Sequence, residues 1–138
     1  MGSDQTRGRR NNNPLNIRYT ERNNWKGKIK PPNKTDNSFE EFIDVEHGLR
    51  AALINIRTYI QKYKRNTINQ IVTKWAPPSD GNDTVSYITH VSQMSGFPEN
   101  QSLTFSKDDM YPVVKAMAWI ESLLKIDKNT FDRAWDLI

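Results

Sequence analysis

Cysteine is absent from the 138 residues, which removes disulfides and thiolate chemistry and leaves the compartment open, because cytosolic and exported proteins both dispense with it. Histidine is nearly absent: His47 and His90 are the two in the chain, too few for the usual His and Cys zinc site, so no metal or cofactor is expected. Also lacking is any apolar run approaching the roughly 18 to 20 residues that cross a bilayer. The first residues do not follow the charged-then-apolar order of a secretory signal. Neither a membrane span nor an export leader is therefore expected.

What is present is polar but not disorder-like. Hydrophobic residues make up 36%, including four Trp, five Tyr and five Phe, enough to bury a core in a chain of one-domain length. Twenty Lys and Arg against sixteen Asp and Glu give a net charge of +4, which favours anionic partners, either nucleic acid or a bacterial cell wall.

Residues 1–10, "MGSDQTRGRR", offer no apolar anchor and are expected to be a disordered lead, with residues 11–138 forming a single domain. From 11 to 43 Asn, Pro, Gly and Lys dominate without a helical period, predicting an irregular N-terminal lobe with room for a short β-hairpin. From Asp44, a natural N-cap, the pattern turns helical, with Leu49, Leu53, Ile56, Ile60 and Tyr63 in one stripe. A short helix capped by Thr67 and stopped by Pro77-Pro78 follows, and then a third from about Thr84 with Val85, Ile88, Val91 and Met94 inward. Ser106 and Asp109 resemble a capping box that opens a fourth helix, and "NTFDRAWDLI" closes the chain as a fifth. The fold class is thus mainly α, or α+β if the hairpin forms.

"RRNNNPLNIRY" at residues 9–19 carries the sharpest question. Pro14 stiffens the turn and pushes Asn13 towards an extended conformation, so the amides can bond either backbone or ligand. An Asx-turn network is the simpler account of the residue types. The company of this stretch points further. "RNNNPLNIRY", "NWKGK", "SFEEFIDVEHGLRAAL" and "TINQIVTKWAPPSDGNDTVSYITHV", in that order over about residues 9–95, resemble a family of small phage virion and prophage-encoded proteins with a lysozyme-like, peptidoglycan-directed domain. The family pattern has glycine after the Asn-Pro pair where this chain has Leu15.

The resemblance implies a lysozyme-like helical domain that engages or opens the cell wall, with peptidoglycan or a related glycan, and other virion proteins, as partners. It places the chain in a virion or at the bacterial envelope. Cleavage of the glycan strand needs a carboxylic acid kept neutral by a partly apolar pocket. Hydrolysis usually adds a second carboxylate, whereas resemblance to lytic transglycosylases implies that one acid and the sugar's own 6-hydroxyl suffice. Glu41 and Glu40, between Phe39 and Phe42, are the first candidates for the acid, although each taken alone reads more simply as a solvated side chain on an edge strand. Asp80, in the loop "PPSDGND", comes after them. Substrate contacts are assigned to Trp25 and Tyr87 as flat faces, to Asn13, Asn16 and Asn82 as amides, and to Arg18.

Other residues have simpler roles. Trp75 and the apolar residues of the fourth helix are read as core, Arg50 as a structural tie to Asp44 or Glu46, and "KYKR" at 62–65 as a solvated helix end. Three functions compete: a wall-cleaving enzyme, a catalytically silent virion or glycan-binding component, and a nucleic-acid-binding domain. The last is disfavoured, since neither a recognition motif nor a basic helix with interleaved aromatics stands out.

Overall fold

The computed structural model describes residues 5–138; residues 1–4 of the expected disordered lead lie outside that range. The elements are α1 (Arg7–Arg10), α2 (Val45–Gln61), α3 (Ile68–Trp75), a 3-10 turn at Pro78–Asp80, α4 (Thr84–Ser95), α5 (Lys107–Ser122) and α6 (Lys128–Asp136). The protein is mainly α. Among the described residues β pairing amounts to two isolated antiparallel bridges, Arg18 with Phe39 and Lys28 with Phe42. The N-terminal lobe has no alternating apolar run long enough to extend either bridge into the expected hairpin.

The chain forms two compact units, one comprising the chain up to Ile54 together with Ala118–Ile138, the other Asn55–Met117. In the first unit, residues 5–10 depart from the expected disordered lead. Thr6 caps α1, its side chain accepting from the Arg9 N–H, and its hydroxyl donates to the Ser122 carbonyl (2.6 Å). The core of this unit is Leu15, Ile17, Phe42, Leu49, Leu53, Ile126 and Phe131, all buried, each worth about 1.5–3 kcal/mol of apolar burial when fully enclosed. Asp44 caps α2 as its sequence position predicts, accepting from the His47 N–H (2.9 Å). Asp127 does the same for α6 through Thr130 (2.8 Å). Burial opposes charge on Asp44, but the hydrogen bonds and charge of His47 prevail and hold its carboxyl below the ordinary value.

In the second unit α3 packs on α4. Thr67 caps α3 by accepting from the Gln70 N–H (3.1 Å), and Gly96, in the left-handed region at φ 83°, closes α4. The phase of α4 differs from the expected one. Val85 and Met94 are exposed, while Thr84, Tyr87, Ile88 and Val91 are buried. The Thr84 hydroxyl donates to the Ala76 carbonyl (2.6 Å), so a polar residue fixes which face turns inward, a bond that an apolar periodicity does not register. Ser106 caps α5 through the Asp109 N–H (3.3 Å), but the Asp109 carboxylate turns to Thr104, so the capping box is half formed. Tyr63 lies past the end of α2 and is half exposed.

One close approach sets the position of the Asn-Pro segment. A Cβ on Gly48 of α2 would lie 1.9 Å from the Asn12 carbonyl oxygen and 3.0 Å from its carbonyl carbon, backbone contacts that no side-chain rotation relieves. Gly48→Ala is therefore expected to cost about 2 kcal/mol or more despite the better helix propensity of alanine, read as a lower urea midpoint; an unchanged or raised midpoint would show that this contact is not tight in solution.

Candidate functional site

The asparagines expected to face a ligand face the protein instead. Asn13 is fully buried. Its amide nitrogen donates to the Ile17 carbonyl (2.9 Å) and the Glu40 carbonyl (3.0 Å), and its amide oxygen accepts from the Ile17 N–H (2.9 Å). Asn11 donates to Asp36 (2.9 Å), Asn12 to the Phe42 carbonyl (3.1 Å), and Asn16 to the carbonyl and side chain of Glu121 (3.0 and 3.2 Å). Asn13 and Asn16 are thus staples of the lobe, the Asn16 amide oxygen being enclosed without a hydrogen-bond partner among the described residues. Ser122 completes the clasp by donating to the Pro14 carbonyl (2.8 Å).

The two glutamates are likewise committed. Glu40 is fully buried, where a solvated position was the simpler expectation. It pairs with Lys28 at 3.1 Å, the two side chains being 0% and 3% exposed, and Lys28 donates further to the carbonyls of Thr20 (2.9 Å) and Asn23 (2.7 Å). Glu41 accepts from the Thr35 N–H (2.7 Å) and hydroxyl and from the Asp36 N–H, with Lys34 at 3.8 Å. Lys34 also donates to the Asp36 and Phe39 carbonyls. Both ammonium groups flank one ring: Tyr19 lies 4.8 Å from Lys28 Nζ and 4.7 Å from Lys34 Nζ. Glu40 Oε2 and both Glu41 oxygens are taken up by these donors, while Glu40 Oε1 is enclosed without a hydrogen-bond partner among the described residues. The alternation of an extended segment sends the neighbouring carboxylates to two different lysines, and buried charge is tolerable only when paired in this way.

This unit holds a polar cleft of about 330 Å³ lined by Arg7, Arg10, Thr35, Asp36, Asn37 and Ser38. Phe39 stands beside it, with the Arg7 guanidinium 4.7 Å and the Arg18 guanidinium 5.0 Å from its ring centre. Arg7 also pairs with Asp36 at 3.1 Å. Burial works against ionisation of Asp36, but the Asn11 amide, the Ser38 and Phe39 N–H groups and Arg7 outweigh it and hold the carboxyl at about 2. Among the lining residues Asp36 is the one acid. At neutral pH the cleft therefore offers cations, hydroxyls and an amide, but no proton-donating carboxylic acid.

Of the remaining expected site residues, Arg18 is exposed beside Phe39. Trp25 is half-buried with its indole N–H enclosed and without a hydrogen-bond partner among the described residues. Asp80, Asn82 and Tyr87 belong to the second unit. Asp80 is exposed in the 3-10 turn, Asn82 donates to the Pro77 carbonyl (3.1 Å), and Tyr87 is buried in α4. Arg50 does not tie to Asp44 or Glu46: it donates to the Leu137 carbonyl (2.9 Å), and Glu46 pairs with Arg133 (2.8 Å).

Sequence reasoning missed Arg7, Arg10 and Asp36, and it missed the buried Lys28 and Lys34. The signals were a Thr6 cap three residues before Arg9, and two carboxylates between aromatics, which need cationic partners once buried.

In comparison with known proteins, the chain is 40% identical over 123 residues to Protein P5 of Pseudoalteromonas phage PM2, an alignment covering 87% of this chain and 73% of that protein. No protein-family model matches the sequence.

Two outcomes follow for the lobe. Glu40→Gln leaves Lys28 as a buried unpaired cation and is expected to destabilise by about 3–5 kcal/mol in urea, while Lys28→Met combined with Glu40→Leu restores much of the loss; equal loss in single and double variants would argue against the pair. Because the folded-state value of Asp36 is depressed, its stabilisation is complete above its ordinary value of 3.8 and fades as pH falls through about 2. Asp36→Asn should therefore flatten the pH dependence of stability between about 4 and 2, as followed by denaturant midpoints across that window.

Proposed function

Because the chain belongs to the family of the phage PM2 Protein P5, we propose that this phage-type protein is a virion component that binds the bacterial cell wall without cleaving it. In this proposal the lysozyme-like domain expected at residues 11–138 takes in α1 with Arg7 and Arg10 as well, and the ligand is peptidoglycan or a related glycan carrying carboxylates. The carrying observation is the electrostatic state of the cleft: Arg7 and Arg10 line it, and its one acid, Asp36, is held ionised at about 2. A general acid for glycosidic cleavage must be protonated near working pH. Asp36 is not, and Glu40 and Glu41 are tied to buried lysines.

What the cleft does provide suits binding. Arginine recognises carboxylate by paired N–H donors. Hydroxyl and amide groups from Thr35, Asn37 and Ser38 match the polar rim of a sugar, and Phe39 adds a flat face between two guanidinium groups.

Purified peptidoglycan should co-sediment with the protein and release no soluble fragments or new reducing ends. Arg7→Ala with Arg10→Ala should lower the bound fraction about tenfold, as expected for losing one or two charge-assisted contacts. Fragment release by the unaltered protein that disappears in Glu41→Gln, Glu40→Gln or Asp80→Asn would instead establish the cleaving enzyme and identify its acid.

A further inference from the structure

The second unit carries a surface that the cell-wall proposal leaves unused. No acidic residue occurs between Glu46 and Asp80, a run that contains Arg57, Lys62, Lys64, Arg65 and Lys74 within this unit. The end of α2, the turn after it and the end of α3 bring the basic residues to aromatic rings. Lys74 Nζ lies 5.3 Å from the centre of the Tyr59 ring and 4.9 Å from that of Tyr63. Lys62 Nζ lies 5.4 Å from the Tyr63 ring. The Trp75 ring meets Tyr59 edge-on at 6.0 Å. Tyr63 is 50% exposed, and Lys62 and Lys74 form no ion pair among the described residues.

Cations held only by ring faces remain free to exchange those faces for phosphate, since no carboxylate competes for them. A half-exposed ring flanked by such cations is the pairing that single-stranded nucleic acid uses: phosphates meet the ammonium groups while an unstacked base lies on the aromatic face. Duplex DNA offers the phosphates but keeps its bases stacked inside. A sulfated or uronic-acid glycan would engage the charges with little need of the ring. We propose that the Tyr59, Tyr63, Lys62 and Lys74 surface is a binding site for single-stranded nucleic acid. Basic and aromatic residues already interleave in the stretch Tyr59–Arg65, and the fold adds Lys74 from the end of α3 to the same two rings.

The test is fluorescence anisotropy of a labelled oligothymidylate titrated with the full chain at several salt concentrations. Binding should weaken with salt. The Lys62→Gln, Lys74→Gln double variant should lose about tenfold in affinity and reduce the salt slope by about 1.4, two phosphate contacts at about 0.7 each for a single strand. Tyr63→Ala should also lose about tenfold but keep the wild-type slope, and Tyr63→Phe should bind as wild type, because stacking needs the ring and not the hydroxyl. All three substituted positions lie at or near the surface, and circular dichroism checks that the variants fold. No binding at about 50 mM salt, insensitivity to Tyr63→Ala, or binding to duplex DNA or heparin as tight as to the oligothymidylate would overturn the proposal. Because Arg7 and Arg10 are untouched, peptidoglycan co-sedimentation by the same variants reports separately on the cell-wall proposal.

Discussion

The N-terminal lobe depends on one constraint, the satisfaction of buried polar groups where there is neither helix nor sheet to do it. Each backbone carbonyl and N–H withdrawn from water needs a partner, and in residues 11–43 side chains supply it. Asn13 serves Ile17 and Glu40, Asn12 serves Phe42, and Lys28 and Lys34 cap carbonyls that a ladder would otherwise have paired. The buried lysines require Glu40 and Glu41 as counter-charges, and Tyr19 between them lends its electron-rich faces to both. Removing one member exposes the desolvation cost of the rest, so the lobe behaves as a unit rather than as a sum of contacts.

This arrangement decides what chemistry remains. A carboxylate can anchor a buried cation or donate a proton to a leaving group, and the two demands oppose each other, since the first requires charge and the second its absence. In the lobe Glu40 lies against the Lys28 ammonium at 3.1 Å and Glu41 near that of Lys34 at 3.8 Å. Asp36, in the lining of the cleft, is held ionised by the Asn11 amide, the Ser38 and Phe39 N–H groups and Arg7. Arg10 and the Asn37 amide line the cleft beside Phe39, whose ring is already engaged by the Arg7 and Arg18 guanidinium groups.

The helices were legible because a stripe of apolar residues at three- and four-residue spacing has few other solutions: Leu49, Leu53 and Ile56, or Ile68, Ile71 and Val72, are buried where the period puts them. The phase of α4 was not, because a threonine hydroxyl bonded to Ala76 outweighs Val85 in fixing the inward face. Long-range polar partnerships were illegible for a related reason. An asparagine amide serves backbone and ligand equally well, and only the approach of Glu40, 27 residues further along, settles which one Asn13 meets. The cleft arginines lay in a stretch without apolar anchors, and their ordering comes from Thr6 reaching Ser122 across 116 positions, a distance no local pattern encodes.

Leu15 shows how the segment accommodates its departure from the family pattern. A glycine at that position suggests a left-handed turn, which a leucine would adopt only under strain. Here the positive φ values fall on Asn12 and Asn16, each at 53°, and asparagine tolerates that region better than other residues with a Cβ. Leu15, relieved of the turn, is fully buried and gives the lobe an apolar anchor of about 1.5–3 kcal/mol that glycine could not. The asparagines therefore act twice, as left-handed corners and as hydrogen-bond staples. Substituting glycine at 12 or 16 would keep the backbone geometry while losing the bonds to Phe42 or Glu121, and so the cluster is better understood as the frame that holds the Arg7 and Arg10 cleft in place than as a wall of that cleft.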